Sequence, residues 1–472
     1  MTAGPQASVR DRVLQPLENS GLRGFHFRMW LTAGMGFFTD AYDLFIIGVV
    51  TTLLTPIWHL TTVDLMLLNS SALFAAVLGA LVFGRLMDRL GRKTVYGIEA
   101  TLLALGALAS AFSVSFWMLF ALRFVVGLGV GGDYPMSGVI MSEYSNRQRR
   151  GFLVNSVFAM QGFGLLAGPL VAVLLLHVGV APTVAWRLML GLGAIPAAVV
   201  IYLRRRIAET PHFTLGVKGD VQATAQTVEQ LTGARVTANG RVAALDNRVA
   251  ILFRNRAFLL TLIGTAFSWM LLDMAFYGNS VSSGLVMKAL QPHGTLISHT
   301  LTSFWIFLVA AAPGYWVSAL LVDRLGRRVI QVLGFGVMAA AYAVLWLVPG
   351  ITAVPLDFLL IYAVSYFFIE FGPNSTTFVY PSEVFPVTVR GIGFGISASA
   401  GKFGAAIAAF LFPLLLVHLH LSGTMGLLAG ISILGALLTV LVLHEPKGLT
   451  LRDASQERIV EEQAPHGMAT AD

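Results

Sequence analysis

Residues 84–93 read GRLMDRLGRK and residues 319–328 read ALLVDRLGRR, so one charged motif occurs twice in the chain. A Ser-Glu pair followed by an Arg-Gly pair also occurs twice, at nearly the same separation. Its members are Ser142, Glu143, Arg150 and Gly151 in the first copy and Ser382, Glu383, Arg390 and Gly391 in the second. Two motifs repeated at nearly one separation are hard to explain by chance. The sequence therefore predicts two related halves, with a binding site between them.

The composition is that of a membrane protein. Of the 472 residues, 56% are hydrophobic and only 12% are charged, which leaves too little polar surface for a soluble protein of this length. The formal charge of +7 would suggest nucleic acid in a soluble protein, but here we expect no nucleic-acid partner, because the cations lie in loops between apolar segments. Cysteine is absent, which excludes structural disulfides and cysteine-ligated metal sites.

Twelve apolar segments are long enough to cross a bilayer, which takes roughly 20 helical residues. They centre near Phe38, Ala76, Leu105, Leu128, Leu165, Ala194, Phe267, Val309, Ala339, Ser365, Gly404 and Leu434. The prediction is an all-α polytopic membrane protein with twelve transmembrane helices in two six-helix halves. Its expected parts are an N-terminal tail at 1–28, a bundle at 29–203, a linker at 204–256, a second bundle at 257–443 and a C-terminal tail at 444–472.

The basic residues predict the orientation. Lys and Arg concentrate in the even-numbered connections and the central linker, whereas the odd-numbered connections contribute little beyond Lys288. Cytoplasmic loops of membrane proteins carry this excess of positive charge. We therefore expect both termini and the linker in the cytoplasm.

Span 1 contains two carboxylates, Asp40 and Asp43. Three residues apart on a helix, they share one side, and two neighbouring carboxylates cannot both stay ionised cheaply. We expect at least one of them to carry a proton and favour Asp43; for Asp40, a hydrogen bond to neighbouring helices is an equally good account. Glu99, near the start of span 3, either passes a proton towards the cytoplasm or pairs with a gating arginine.

Span 4 holds Arg123, Asp133 and Tyr134. An acid in a membrane helix costs several kcal/mol without a partner, water or a task, so Asp133 is a proton-coupling candidate. Arg123 should lie near the outer end, about 15 Å from Asp133, too far for direct pairing. Pro135 removes one backbone donor, which favours a local break in the helix. Gln161 in span 5 either donates to a bound anion or joins neighbouring helices.

Span 7 places Trp269, Asp273 and Tyr277 on one helix face, because they are four residues apart. The indole and phenol groups donate hydrogen bonds without charge, whereas the carboxylate accepts them. Asn374 follows in span 10 and Lys402 in span 11. A lysine far from both ends of its span should pair with an anion or with Asp273; snorkelling to an interface is the alternative.

The repeated charged loops predict a gate. An acid among guanidinium groups at a helix end can hold two helices together by charge-assisted hydrogen bonds that open as the halves rock. The alternative is a solvated turn that only reflects the membrane orientation. The predicted cytoplasmic gate comprises Asp88, Arg89, Arg92, Glu143, Arg150, Asp323, Arg324, Arg327, Glu383 and Arg390.

These motifs, taken together, resemble the phosphate:proton symporters of the major facilitator superfamily. The stretches that carry the resemblance are the loop at 84–99, GFFTDAYDLF at 36–45, GLGVGGDYPMSGVIMSEYSNRQRRG at 127–151, WMLLDMAFYG at 269–278, FGPNSTTFVYPSEVFPVTVRG at 371–391 and SASAGKFGAA at 397–406. They cover both halves and nearly all twelve spans, and leave the tails and most of the linker outside.

The resemblance implies a substrate and its binding residues. In that family, the matching positions that form the phosphate site are Tyr134, Gln161, Trp269, Asp273, Tyr277, Asn374 and Lys402. Those implicated in proton movement match Asp43, Asp133 and Asp273; Asp40 and Glu99 are further candidates because of their places in spans 1 and 3. The implied activity is import of inorganic phosphate with protons by alternating access, driven by the proton gradient across a lipid bilayer and without a cofactor. The linker is short beside many eukaryotic relatives, which favours a prokaryotic plasma membrane.

Three alternatives stay open. One or two side chains can retune a pocket, so the chain could carry another small anion, such as an organic acid or a phosphorylated metabolite. A phosphate sensor would bind with negligible flux. A membrane enzyme is the weakest alternative, because it would need a nucleophile with a base and no histidine lies in the intramembrane motifs.

Overall fold

The structure is a computed structural model that describes residues 9–236, 242, 244–245, 247–281 and 283–462, and every regular element within them is a helix. Spans 1 to 6 form the first half. They are Gly24–Trp58, Thr62–Leu90, Ile98–Ser110, Phe116–Tyr144, Arg150–His177 and Pro182–Arg204. Span 3 is short because its first turn, Arg92–Val95, is separated from the rest by Gly97, whose φ of 113° is open to glycine at no steric cost. Span 4 runs unbroken through Pro135, so the expected break is absent.

Spans 7 to 12 form the second half. They are Arg256–Val281, Leu296–Leu325, Arg327–Leu347, Pro355–Val384 and the two parts of Arg390–Val442 on either side of His420. His420 has a φ of 57° and a ψ of −179°, which ends span 11 and starts span 12. Spans 8 and 10 each contain one wider, π-helical turn, at Phe307–Ala311 and Glu370–Asn374. In the described part of the chain, ten helices are long and apolar enough to cross a membrane; His420 divides one of them into two spans, and the shorter Ile98–Ser110 completes twelve. The predicted all-α architecture is confirmed.

The terminal and linker helices gather on one side of the bundle, which we call the tail side. They are Val9–Glu18, Pro211–Gly216, Val221–Thr232, Ala250–Arg254, Leu451–Ala454 and Arg458–Glu462. On the opposite side, helix Ser283–Leu290 connects spans 7 and 8. The side chain of Arg452 in the C-terminal segment lies 2.7 Å from Asp11 in the N-terminal helix, so the two ends of the chain meet here.

The two halves meet along matching pairs of helices: span 2 packs against span 11, and span 5 against span 8. Gly84 in span 2 lies against the backbone of Gly391 and Gly395 in span 11, an approach that a larger side chain would obstruct. The symmetric seam encloses a set of polar side chains halfway along the spans.

Candidate functional site

A buried ion pair lies at the centre of the molecule. Lys402 Nζ donates to Asp273 Oδ2 at 3.0 Å and to the Tyr277 hydroxyl at 2.9 Å. The ammonium also lies 4.4 Å from the centre of the Tyr134 ring and 4.2 Å from that of the Tyr277 ring, in cation–π geometry. With 1% of its surface exposed, Lys402 does not snorkel to an interface.

A chain of hydrogen bonds continues from this pair into the first half and back. The hydroxyls of Tyr277 and Tyr134 are 3.3 Å apart, and Gln161 Nε2 donates to Tyr134 at 3.4 Å. Tyr315 then donates to Gln161 Oε1 at 2.9 Å, and Asn374 Nδ2 donates to Tyr315 at 2.7 Å. Since Tyr134 and Gln161 belong to the first half and the others to the second, this central chain joins the halves.

Trp269 closes the central chain on one side. Its ring lies 5.9 Å from that of Tyr134 and 5.7 Å from that of Phe394, and 1% of the residue is exposed. Gly401 leaves room for the indole, because a Cβ there would meet Trp269 at 2.5 Å. The structure thus brings together all seven residues predicted to bind substrate: Tyr134, Gln161, Trp269, Asp273, Tyr277, Asn374 and Lys402.

Two members of this neighbourhood, Tyr315 and Glu370, are not among the residues predicted from the sequence. Tyr315 connects Gln161 to Asn374, and Glu370 Oε2 accepts a hydrogen bond from the other N–H of the Asn374 amide. Both residues are fully buried. The signal for Glu370 was present in the sequence, because it is an acid in an apolar span directly before the FGPN motif.

A second buried ion pair lies in the first half, between the centre and the side opposite the tails. Arg123 Nη1 is 3.5 Å from Asp43 Oδ1, and its Nη2 donates to the Asp43 carbonyl at 2.8 Å. Asp43 Oδ2 has no hydrogen-bond partner among the described residues. Sequence reasoning placed Arg123 towards that end of the span but did not pair it with Asp43.

Three predicted proton-coupling residues surround one arginine on the tail side of the centre. Arg204 donates to Glu99 at 2.5 Å and to Asp133 at 2.6 Å. Asp40 lines the same small cavity, and neither of its carboxylate oxygens has a hydrogen-bond partner in the described part of the chain. Arg204 was expected to begin the linker, yet it is the last residue of span 6 and 2% exposed. The apolar run of span 6 ends directly before three consecutive arginines, the first of which is Arg204. That position was the signal in the sequence for an arginine inside the span.

On the tail side, the repeated loop acids each cap a helix of the opposite half. Asp88 accepts from the backbone N–H groups of Gly391 and Ile392 at 3.0 and 2.8 Å. Asp323 accepts in the same way from Gly151 and Phe152, also at 3.0 and 2.8 Å. A helix N-terminus favours a carboxylate because its N–H groups lack partners within the helix. These reciprocal caps hold the halves together.

Arginine–glutamate pairs reinforce this seam. Glu143 binds Arg92 at 2.9 Å within its own half and Arg390 of the other half at 2.8 Å. In the second half, Glu383 binds Arg327 at 2.6 Å. The remaining predicted gate residues divide: Arg150 is buried and donates to the Leu449 carbonyl at 3.2 Å, whereas Arg89 and Arg324 are exposed and lie outside the cluster.

His212, in the linker helix Pro211–Gly216, covers this cluster. Burial lowers the pKa of His212 to about 3; Glu143 acts in the opposite direction, while Arg390, Arg150 and Arg92 lower it further. The histidine is therefore neutral at physiological pH. The linker thus places a neutral histidine side chain against the arginines of the tail side.

The opposite side contains a cavity of about 340 Å³ between the halves. Its lining includes Thr51, Thr55 and Asn69 of the first half, and Lys288 and His299 of the second. With the tail side sealed by the caps and ion pairs, this cavity faces the side away from the tails.

Comparison with known proteins assigns a family. The family described as "Sugar (and other) transporter" matches residues 29–457. The "Inorganic phosphate transporter 1-6" of Oryza sativa subsp. japonica is 36% identical over 100% of both chains. The "Probable inorganic phosphate transporter 1-6" of Arabidopsis thaliana is 33% identical over 94% of this chain and 96% of its own. The resemblance predicted from the motifs is confirmed.

Solved structures agree on the fold. The proton:xylose symporter of the major facilitator superfamily, bound to 6-bromo-6-deoxy-D-glucose, superposes with a TM-score of 0.78 at 20% identity, over 92% of this chain and 99% of its own. The xylose transporter of E. coli in a partially occluded inward-open conformation gives 0.71 at 19% identity, over 91% and 100%. At such identities the likeness extends to the fold alone.

Proposed function

This chain belongs to the sugar (and other) transporter family of the major facilitator superfamily, and from that premise we propose that it imports inorganic phosphate together with protons. Membership makes it a multi-pass membrane transporter and not an enzyme. Two plant relatives that match over 96–100% of their own length are named as an inorganic phosphate transporter and a probable inorganic phosphate transporter. Phosphate as the substrate of this chain, and protons as the coupled ion, are parts of the proposal.

One observation carries the proposal: a buried lysine lies at the centre of a chain of neutral donors that joins the two halves. Phosphate brings bare oxygens that accept and protonated oxygens that donate, so it suits a site with both kinds of partner. Lys402 supplies the countercharge, and Asp273 accepts from a protonated oxygen. Sulfate has no proton at neutral pH and would face Asp273 acceptor to acceptor, which discriminates against it.

Protons would move through the first half as well as through Asp273 at the centre. Asp43 with Arg123 lies towards the cavity, and Asp40, Glu99 and Asp133 surround Arg204 towards the tail side. Three carboxylates around one guanidinium cannot all be balanced, so at least one proton should reside there. The Asp43–Arg123 pair and the carboxylates around Arg204 lie at successive depths along the spans, which supports a stepwise proton path.

Access would alternate by rocking of the halves. The reciprocal caps of Asp88 and Asp323 close the tail side, and the cavity of about 340 Å³ lies between the halves on the other side. We place the tail side in the cytoplasm because the arginine-rich loops lie there. The membrane would be a plasma membrane; the short linker favours a prokaryotic one.

Uptake of labelled phosphate into proteoliposomes tests this function. With an inward proton gradient we expect accumulation that collapses when an uncoupler is added, and competition by arsenate but not by sulfate. Binding of phosphate without flux would identify a sensor instead. Absence of both would redirect the search to organic acids and phosphorylated metabolites.

A further inference from the structure

Glu370 is a buried acid without a role in the transport cycle proposed above. It begins the π-helical turn Glu370–Asn374 in the middle of span 10, and none of its surface is exposed. Its Oε2 accepts from Asn374 Nδ2, whereas Oε1 is buried without a hydrogen-bond partner among the described residues. Single π-helical turns inside longer helices frequently occur at functional sites.

Close backbone packing fixes Glu370 in place. Gly314 of span 8 lies so near that a Cβ there would meet the Glu370 Cβ at 3.1 Å. Within the turn, Gly372 has a φ of −95° and a ψ of −112°, outside the helical region, and packs against Gly334 of span 9. The backbone that carries Glu370 is therefore held against spans 8 and 9, and the carboxylate lies beside Asn374.

The charges around Glu370 do not balance it. Span 7 contributes the carboxylate of Asp273. Span 8 and the preceding turns of span 10 contribute the neutral phenols of Tyr315, which lies within hydrogen-bonding reach of Glu370, and of Tyr366. Span 9 has no charged residue from 329 to 347, and the nearby cation on span 11, Lys402, is already paired with Asp273. With both carboxylates ionised, the central chain would be negative before an anion arrives, which opposes anion binding.

The hydrogen bonds of Asn374 also indicate that an ionised Glu370 opposes phosphate binding. An asparagine amide has two N–H donors, and those of Asn374 go to Glu370 and to Tyr315. An ionised Glu370 thus occupies, through a charge-assisted bond, a donor that a bound phosphate would need. A proton on Glu370 removes the negative charge and weakens this competition in one step.

We propose that Glu370 is a proton-binding residue of the second half, and that its protonation is required for phosphate to engage Asn374. This inference rests on the proposed transport of phosphate. The proton would come from solvent on the side opposite the tails, when rocking of the halves opens the centre to that side, and would bind at Oε1. Phosphate would then accept the freed Asn374 N–H. When phosphate leaves towards the tail side, Glu370 releases its proton to solvent on that side and recovers that hydrogen bond, so one proton accompanies each turnover at this position.

Calorimetric titration of the purified, full-length protein with inorganic phosphate tests the proposal. Titrations in buffers of different ionisation enthalpy report the protons taken up on binding. Glu370→Gln keeps the shape and hydrogen-bonding ability but cannot titrate, and it should bind phosphate with uptake smaller by about one proton than in the wild type. Asp357→Asn, a matched change at an exposed acid at the start of span 10, should leave uptake unchanged.

Each outcome decides a different question. Equal proton uptake in wild type and Glu370→Gln, or loss of phosphate binding by a folded Glu370→Gln, would overturn the role of Glu370. If Glu370→Gln does not fold, Glu370→Asp keeps a titratable group and should keep the wild-type proton uptake with weaker phosphate binding; loss of uptake there would equally overturn it. A wild type that binds no phosphate would overturn the proposed function itself.

Discussion

Lys402 and Arg204 show how single buried charges organise this molecule. Each cation lies in a membrane span and is matched by carboxylates from other spans, Asp273 for Lys402 and Asp133 with Glu99 for Arg204. The sequence predicted Asp273 as one of two partners for Lys402, the other being an anion, because a lysine in mid-span has few possible partners. It did not predict the partners of Arg204, because Arg204 follows an apolar run at the point where a loop is expected, and spacing along one helix does not reveal partners on another.

Lys402→Ala should weaken phosphate binding by about 100-fold or more. The substitution removes the countercharge of the anion and leaves the Asp273 carboxylate facing it; loss of one partner of a buried, hydrogen-bonded charge pair typically costs about 2–5 kcal/mol of binding free energy. Binding of phosphate to the purified variant, measured by calorimetry, checks this, with Lys288→Ala in the opposite-side cavity as control. An unchanged dissociation constant would place Lys402 outside the site.

Arg204→Gln should destabilise the protein by about 3–5 kcal/mol, because it leaves two buried carboxylates without their shared partner. Thermal unfolding in detergent measures this effect, and Arg205→Gln, next to it but exposed, is the control. Adding Glu99→Gln to Arg204→Gln should recover part of the loss. A variant as stable as the control would mean that the carboxylates do not depend on Arg204.

At the scale of elements, the spans were predictable and their irregularities were not. A run of apolar residues long enough to cross a bilayer identifies a span whatever its neighbours, since water is absent there. The π-helical turn at Glu370–Asn374 depends instead on contact with Gly334 of another span, which no local pattern announces. At Pro135 the local pattern predicted a break that is absent. Packing keeps span 4 helical through the proline.

The linker helix Pro211–Gly216 should make the protein sensitive to acid through His212. A free histidine titrates near 6.5, whereas burial lowers the pKa of His212 to about 3. Between these values only the unfolded chain binds the proton, so stability falls as pH drops below about 6.5, by about 2 kcal/mol at pH 5. In thermal unfolding between pH 7.5 and 5, His212→Asn should lose less stability than the wild type or the exposed His59→Gln. Parallel losses in all three would contradict this account.

At the scale of the whole molecule, the two halves hold each other by a symmetric exchange. Asp88 of the first half caps span 11, and Asp323 of the second caps span 5. The internal repeat predicted that both loops would act alike, and the gate was expected from their charges. That each acid would cap a helix of the other half could not be read from the sequence, because it depends on how the halves dock.

Glu143→Gln should open the tail side, because it weakens the ion pair between Glu143 and Arg390 across the halves. The chain contains no cysteine, so a buried reporter, Met87→Cys, would be the single thiol. We expect a membrane-impermeant maleimide to label it several-fold faster from the tail side in the Glu143→Gln background. The control, Glu383→Gln, breaks a pair within one half. Equal labelling rates in both backgrounds would show that the pair across the halves does not hold the gate.

Phosphate and protons should move together through this transporter. The most direct test uses a phosphate gradient to drive protons, instead of a proton gradient to drive phosphate. Proteoliposomes are prepared without a proton gradient, phosphate is added outside, and the internal pH is followed. If one cycle carries both, the phosphate gradient must drive protons inward, so we predict internal acidification that requires Asp273 and is absent in Asp273→Asn. Entry of labelled phosphate without any movement of protons would contradict the account.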